Sequence, residues 1–279
     1  MAGESWAEQA ISAQSVNRQC AAHKDAFLTP PESRPAPPVL DPQSALFLDV
    51  DGTLLEIAPR PELVRVPPDL PALIDRLAKQ REEALALISG RPLAQLDELF
   101  APWHGAAAGV HGVERRRADG KLDCVLDRAS KAALDYVRSR LGPLANDGSG
   151  VALEDKGTAL ALHYRAAPVR EPEIRSRAEA LSREVGTALR LIAGKMVVEF
   201  QPSNVDKGRA IAAFLAEPPF QGRRPVFVGD DTTDEDGFGE ICRHGGWAIR
   251  VGPPHPTAAG YRLPTVDAVL AWLARSSLL

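Results

Sequence analysis

Short, wholly apolar runs alternate along much of this chain with longer stretches in which apolar residues recur every three or four positions. Ala45-Leu46-Phe47-Leu48 has no polar member and reads as a strand buried on both faces. Residues 69–80 carry Leu70, Leu73, Ile74 and Leu77 on one side, with Pro71 in the first turn, which predicts a helix. Ala84-Leu85-Ala86-Leu87-Ile88 is the next buried strand, and a helix through Leu93, Leu96 and Leu99 follows. Such alternation predicts parallel strands joined by right-handed crossovers.

Between about Val113 and Phe200 the pattern changes. Arg115 to Lys121 has a hairpin's turn chemistry, with Asp119-Gly120 at its centre. Residues 128–141 and 170–186 read as amphipathic surface helices, and residues 158–165 alternate like a half-exposed strand. Leu189–Ala193 and Met196–Phe200 form two short strands around Gly194-Lys195. Strands wet on one face and helix-covered on the other predict a small α+β insert. The earlier pattern then resumes, with a helix over 206–216, strands at 226–228 and 247–251, and a closing helix over 266–274. The fold class expected is α/β, a doubly wound parallel-sheet core in two parts (45–117 and 201–279) interrupted by the α+β insert (118–200). Residues 1–44 stand apart. Trp6 to Cys20 suits a short helix, and the prolines from Pro30 to Pro42 predict an extended linker.

Composition narrows the class. The 279 residues are 44% apolar and 25% charged, ordinary for a soluble globular protein. A net charge of -4 argues against nucleic acid as a partner. Three scattered cysteines show neither a zinc spacing nor a disulfide framework and suit a reducing cytosol. No run approaches the ~18 apolar residues of a membrane span, and Met1 to Trp6 show neither the basic nor the apolar region of a secretory leader, so none is expected. A cytoplasmic, monomeric protein is expected.

The chemistry sits at strand ends. Asp49 and Asp51 follow the first apolar run and precede Gly52, so both can face one pocket. Two carboxylates that close require a cation or a shared proton, which leaves open a metal site, an acid/base pair, or both. Ser89 ends the second strand, and Asp230 and Asp231 end the one at 226–228. In a parallel sheet these ends share one edge. Asp230 and Asp231 precede the next helix and offer oxygen ligands of the kind Mg²⁺ takes, whereas Glu235 and Asp236 suit the first turn of that helix, where acids complement the macrodipole. Lys207 opens a helix against that dipole, a conflict an anion would remove. Together these groups suit phosphoryl transfer: a carboxylate attacks phosphorus, a metal and a lysine neutralise the equatorial oxygens, and a second carboxyl moves the protons.

Asp49-Val50-Asp51-Gly52-Thr53, Ser89, Lys207 and Gly229-Asp230-Asp231 with Asp234 resemble, in order, the four motifs of the haloacid dehalogenase (HAD) superfamily of phosphatases. The resemblance implies Asp49 as nucleophile and Asp51 as general acid/base. It implies Mg²⁺ held by Asp49, the Asp51 backbone carbonyl and Asp230, and phosphoryl contacts from Ser89 and Lys207. Thr53, Asp231 and Asp234 would support them. A narrower set of words resembles the trehalose-6-phosphate phosphatase family: Ser89-Gly90-Arg91, Gly109 to Glu114, Glu154 to Gly157, Leu162 to Arg165, Gly194-Lys195 with Val198-Glu199, and Gly229 to Asp236. That likeness implies trehalose 6-phosphate as substrate. It makes the insert a lid-like cap in which Lys156, Lys195 and Glu199 grip the sugar, with Arg91, His111 and Glu114 on the core side. The alternatives are a phosphatase for another sugar phosphate such as sucrose 6-phosphate, a phosphomutase, and a catalytically silent sugar-phosphate sensor.

Overall fold

The computed structural model describes residues 34–58, 63–145, 148, 150–194 and 196–278. The apolar runs become β1 (Ser44–Leu48), β2 (Leu85–Ile88), β10 (Arg224–Gly229) and β11 (Trp247–Val251). They share one sheet with β3 (Ala106–Gly109), β4 (Glu114–Arg116), β5 (Leu122–Cys124) and β12 (Tyr261–Leu263), in the order β12-β11-β10-β1-β2-β3-β4-β5. The six strands from β12 to β3 run parallel, and β4 and β5 add an antiparallel edge.

Alternation within each strand builds two cores. Leu46, Leu48, Leu85, Leu87, Val226 and Val228 pack on one side against α1 (Leu70–Gln80), α2 (Leu93–Phe100) and α7 (Val266–Ser276). Ala45, Phe47, Ala86, Ile88 and Phe227 pack on the other against α5 (Lys207–Leu215) and α6 (Glu235–Arg243). Burial on both faces explains why these strands are apolar beyond their first positions, Ser44 in β1 and Arg224 in β10.

A second sheet, ordered β6-β7-β9-β8 and wholly antiparallel, comprises β6 (Ala152–Asp155), β7 (Leu160–His163), β8 (Leu189–Gly194) and β9 (Val197–Pro202). One face buries Leu160, Leu162, Val198 and Phe200 beneath α3 (Arg128–Ala145) and α4 (Glu171–Val185). The opposite face carries Glu154, Ala161, Glu199 and Gln201, as the register requires. The chain leaves the core after β5 and returns before α5. Val110, Val113 and Val205 meet Ala159 and Leu126 in a small apolar cluster at that junction.

Two expectations change. The hairpin assigned to the insert from residue 118 belongs to the core, because β4 pairs with β3 and β5 with β4. Of the extended linker, residues 34–43 are docked on the core; residues 1–33 lie outside the described residues. Proline has no N–H to donate, yet its carbonyl still accepts. Pro38 O accepts from Trp272 Nε1 at 2.8 Å, Pro35 O from the Arg262 N–H at 3.1 Å, and Leu40 is fully buried with its N–H on Ser276 Oγ.

Candidate active site

Strand order brings the catalytic candidates together. β10, β1 and β2 are adjacent, and their carboxyl ends deliver Asp230, Asp49 and Ser89 to one edge. Such an edge, where successive crossovers diverge to opposite sides, is where open α/β sheets bind ligands. Gly52 makes the turn after Asp51 at φ +86, and a Cβ there would lie 2.1 Å from Asp230 Oδ2. Only glycine lets the β1 turn and the β10 carboxylate approach so closely.

Lys207, almost wholly buried, donates from Nζ to Asp49 Oδ1 at 2.7 Å and to Asp234 Oδ1 at 2.6 Å. The conflict with the α5 dipole is relieved by these carboxylates and by Asp206, the N-cap residue, whose side chain accepts from the Arg209 N–H. Asp234 is fully buried, and its Oδ2 accepts from the backbone N–H groups of Asp230 and Asp231, both at 2.9 Å. Asp234 is therefore a keystone between lysine and loop. Asp231 instead caps the turn that follows, accepting from the Thr232 N–H, and makes no bond to Lys207.

Burial sets the charge balance. It raises the Asp49 carboxyl well above its usual range, and Asp234 and Asp230 add to this while Lys207 opposes it. Burial, then Asp234, pushes Asp230 up to about 7. Burial works against the Lys207 ammonium, but Asp234 and Asp49 outweigh it and hold the group charged. Asp49, Asp230 and Asp234 each place an oxygen within 4.8 Å of the others. Asp49 Oδ2 is buried without a partner. An orphaned carboxylate oxygen beside a second acid suits a hard divalent cation. Because both Asp234 oxygens already accept bonds, Asp49 and Asp230 are the side chains free to ligate it.

Ser89 is fully buried, and its Oγ accepts from the Arg91 N–H at 3.1 Å. Arg91 then turns back and clasps Asp51 with two bonds of 2.7 Å, a bidentate pair. Thr53 is fully buried beneath the turn, with Oγ1 unpartnered. Glu114 Oε2 accepts from the Leu93 N–H at the start of α2, at 3.0 Å.

The second sheet covers this edge. Lys156 Nζ donates to Glu199 Oε2 at 3.1 Å and to Gly90 O at 3.3 Å, bridging insert and core. His111, in a left-handed conformation at φ 55, lies against Gly90, where a Cβ would fall 2.6 Å from Nε2. That Nε2 is 3.8 Å from Glu199 Oε1. Burial, then the nearby Lys207, Lys156 and Arg190, holds the imidazole pKa well below its usual value, so the ring is neutral. His111 Nδ1 and Glu199 Oε1 are both buried without partners. Lys195 lies outside the described residues. His163 and Glu154, both within the family-like words of the sequence, pair at 2.9 Å within the insert's sheet, whereas Arg190, whose Nη1 is 3.5 Å from Asp236 Oδ2 on α6, stands in none of those words. Period-two counting onward from Glu199 finds part of this: Gln201 shares its face, and Arg190 pairs with Gln201 across the strands. Asp236 and Glu235 do more than suit a dipole, since Glu235 also holds Arg250 and the Ala258 N–H.

A sequence model of the trehalose-phosphatase family matches residues 47–267. A probable trehalose-phosphate phosphatase of Sinorhizobium fredii is 44% identical over 236 residues, covering 84% of this chain and 88% of that protein. The trehalose-6-phosphate phosphatase of Escherichia coli is 42% identical over 236 residues, covering 85% and 87%. In fold, the C-terminal domain of Candida albicans trehalose-6-phosphate phosphatase superposes with a TM-score of 0.73 at 23% identity, over 88% of this chain and 98% of that one. The fold is shared with a haloacid dehalogenase-like hydrolase of Bacteroides thetaiotaomicron (TM-score 0.62 at 14% identity, over 83% of this chain and 98% of that one), and the chain falls in the class of phosphoric monoester hydrolases. Within it, the chain belongs to the trehalose-phosphatase family. No helix among the described residues is long and apolar enough to cross a membrane.

Proposed function

We propose that this protein is a cytoplasmic, monomeric, Mg²⁺-dependent enzyme that hydrolyses trehalose 6-phosphate to trehalose and phosphate. The observation that carries the chemistry is Asp49 held by Lys207 at one oxygen while the other is buried and unpartnered. The family match and the relatives' names support the substrate.

Asp49 attacks phosphorus, and the bond from phosphorus to the sugar oxygen breaks as the aspartyl-phosphate forms. Asp51 gives its proton to the departing sugar oxygen and later takes one from the water that attacks phosphorus. The Asp49–phosphorus bond then breaks and phosphate leaves. Because Arg91 clasps Asp51, Asp51 must leave that pair before it donates. Ser89 and Lys207 hold the phosphoryl oxygens. Mg²⁺, bound by Asp49, Asp230 and the Asp51 carbonyl, would neutralise charge developing on them. Monoester hydrolysis needs accelerations of up to ~10²¹, so all water but the one that attacks phosphorus must be kept out, and the cap over the sheet edge supplies that cover. The neutral His111, Glu199 and Lys156 present unfilled or exchangeable hydrogen-bonding groups between cap and core, which suits a polyhydroxylated ligand.

Phosphate release from a panel of sugar phosphates, with and without EDTA, tests this reading. Turnover selective for trehalose 6-phosphate and abolished by the chelator is expected. Equal turnover of sucrose 6-phosphate, isomerised sugar phosphate without free phosphate, or binding without release would each overturn it.

A further inference from the structure

The insert meets the core around a pivot and at polar contacts beside the cleft. The pivot is the apolar cluster of Val110, Val113, Val205, Ala159 and Leu126, where the chain passes between the two parts. Lys156 on Gly90 O and His111 near Glu199 lie at the cleft itself and would meet any sugar bound there. The Arg190–Asp236 pair uses different groups. Arg190 comes from β8 in the insert and Asp236 from the first turn of α6 in the core, 46 positions apart.

The arginine is oriented before it reaches the core. With its amide oxygen assigned toward the guanidinium, Gln201 accepts from both Arg190 Nε and Nη2 at 3.3 Å. That leaves Nη1 directed at Asp236 Oδ2, 3.5 Å away. Gln201 is fully buried and shares a sheet face with Glu199, so the same backbone that aims Arg190 also aims Glu199. The Asp236 backbone is placed in turn by helix packing: its carbonyl would lie 2.4 Å from a Cβ on Gly208, the residue after Lys207, while its carboxylate is half exposed. One end of the pair is thus rigidly tied to the sugar-facing strands and the other to the lysine helix.

We infer that Arg190 and Asp236 form a latch, holding the insert against the core so that Glu199 and Lys156 stand at the working distance from Asp49 before substrate arrives. Both are positioning residues. This rests on the functional reading above. The latch stabilises binding of an ester whose sugar spans both parts and does nothing for an ester too small to reach the insert. An ion pair in water contributes modestly, so the insert stays able to open.

The test is a double-mutant cycle on the full chain with Mg²⁺, using trehalose 6-phosphate and p-nitrophenyl phosphate. Arg190→Gln and Asp236→Asn should each raise KM for the sugar phosphate by about two- to fivefold and leave kcat nearly unchanged. The double variant should be no worse than either single. The reversed pair, Arg190→Glu with Asp236→Arg, should recover most of the loss, and p-nitrophenyl phosphate turnover should not move. Additive losses, a failure of the reversed pair, or equal losses on both substrates would overturn the latch. Amide hydrogen exchange without substrate gives a second readout, in which strands β8 and β9 should exchange faster in both single variants. Unchanged exchange refutes the latch whatever the substrate proves to be. A wild-type enzyme inactive on sugar phosphates refutes the functional reading and leaves the exchange result to decide the latch.

Discussion

Gly52 and Asp230 come from opposite ends of the chain, yet a single methyl group on Gly52 would lie 2.1 Å from Asp230 Oδ2. The turn after β1 and the end of β10 are fitted to each other at the resolution of one atom. Asp230 has a short side chain, so it cannot swing aside and still face Asp49. Gly52→Ala is also strained at φ +86. The expected outcome is a protein that folds, with a lower melting temperature, but loses cation affinity by tenfold or more, on the order of 1.4 kcal/mol. Isothermal titration with Mg²⁺ measures it, and wild-type affinity would contradict the proposed ligand role of Asp230.

Asp49→Asn keeps the shape of the side chain and removes the attacking anion. Phosphate release should fall by at least about a thousandfold, since Asp234, the other carboxylate on Lys207, has both oxygens committed to hydrogen bonds. Circular dichroism should be unchanged. Residual turnover near wild type would refute Asp49 as nucleophile.

Lys207→Ala leaves Asp49 and Asp234 buried without their shared cation. Breaking such a pair costs about 3–5 kcal/mol, and the loss of positive charge at the phosphoryl group should also cut kcat by at least about a hundredfold. Urea unfolding of the metal-free variant gives the first quantity and single-turnover phosphate release the second. A variant within about 1 kcal/mol of wild type would mean that the two acids do not depend on this lysine.

The raised Asp230 carboxyl makes stability depend on pH in a definite direction. Its native pKa is about 7 against an ordinary value of 3.8, so between these values the native state binds more protons than the unfolded state. Its contribution is fully present below the lower value and is lost as pH rises through the upper one. The swing is at most about 4 kcal/mol and less after solvent screening. A cation needs the ionised form, so Mg²⁺ should raise the melting temperature more at pH 8 than at pH 5. Thermal unfolding with and without EDTA checks this, and Asp230→Asn should flatten the difference.

The proline-rich segment before β1 closes part of the core. Leu40 is fully buried against the sheet and the face carrying α1 and α7, so Leu40→Ala should cost about 2–5 kcal/mol. Catalysis per folded molecule should not change, because the cavity lies away from Asp49. Denaturant unfolding and active-site-normalised kcat separate the two effects.

What could be read before folding followed from local rules. Asp49, Ser89 and Asp230 end apolar strands, and parallel strands carry their ends to one edge, so their convergence needed no contact map. Lys207 stood out through its conflict with a helix dipole. The misses have equally physical causes. Ala106-Ala107-Ala108-Gly109 lacks the branched and aromatic residues that mark strands, and it is a strand because β2 and β4 flank it. The hairpin at residue 120 showed its turn but not which sheet it would extend. Arg190 reads as a surface arginine until the β8–β9 register fixes its face and α6 supplies Asp236. Prolines 35 and 38 signalled an unpaired chain, although their carbonyls serve Arg262 and Trp272.

The chain exits after β5 and re-enters before α5, and the strands proposed above to face the sugar hang between those neighbouring doorways. Substitutions out there can reshape which alcohol is admitted without disturbing how phosphorus is handled. Selectivity and reactivity are therefore separately heritable in this molecule, and a relative could acquire a new leaving group by redrafting fewer than a hundred contiguous codons, on the order of one small domain.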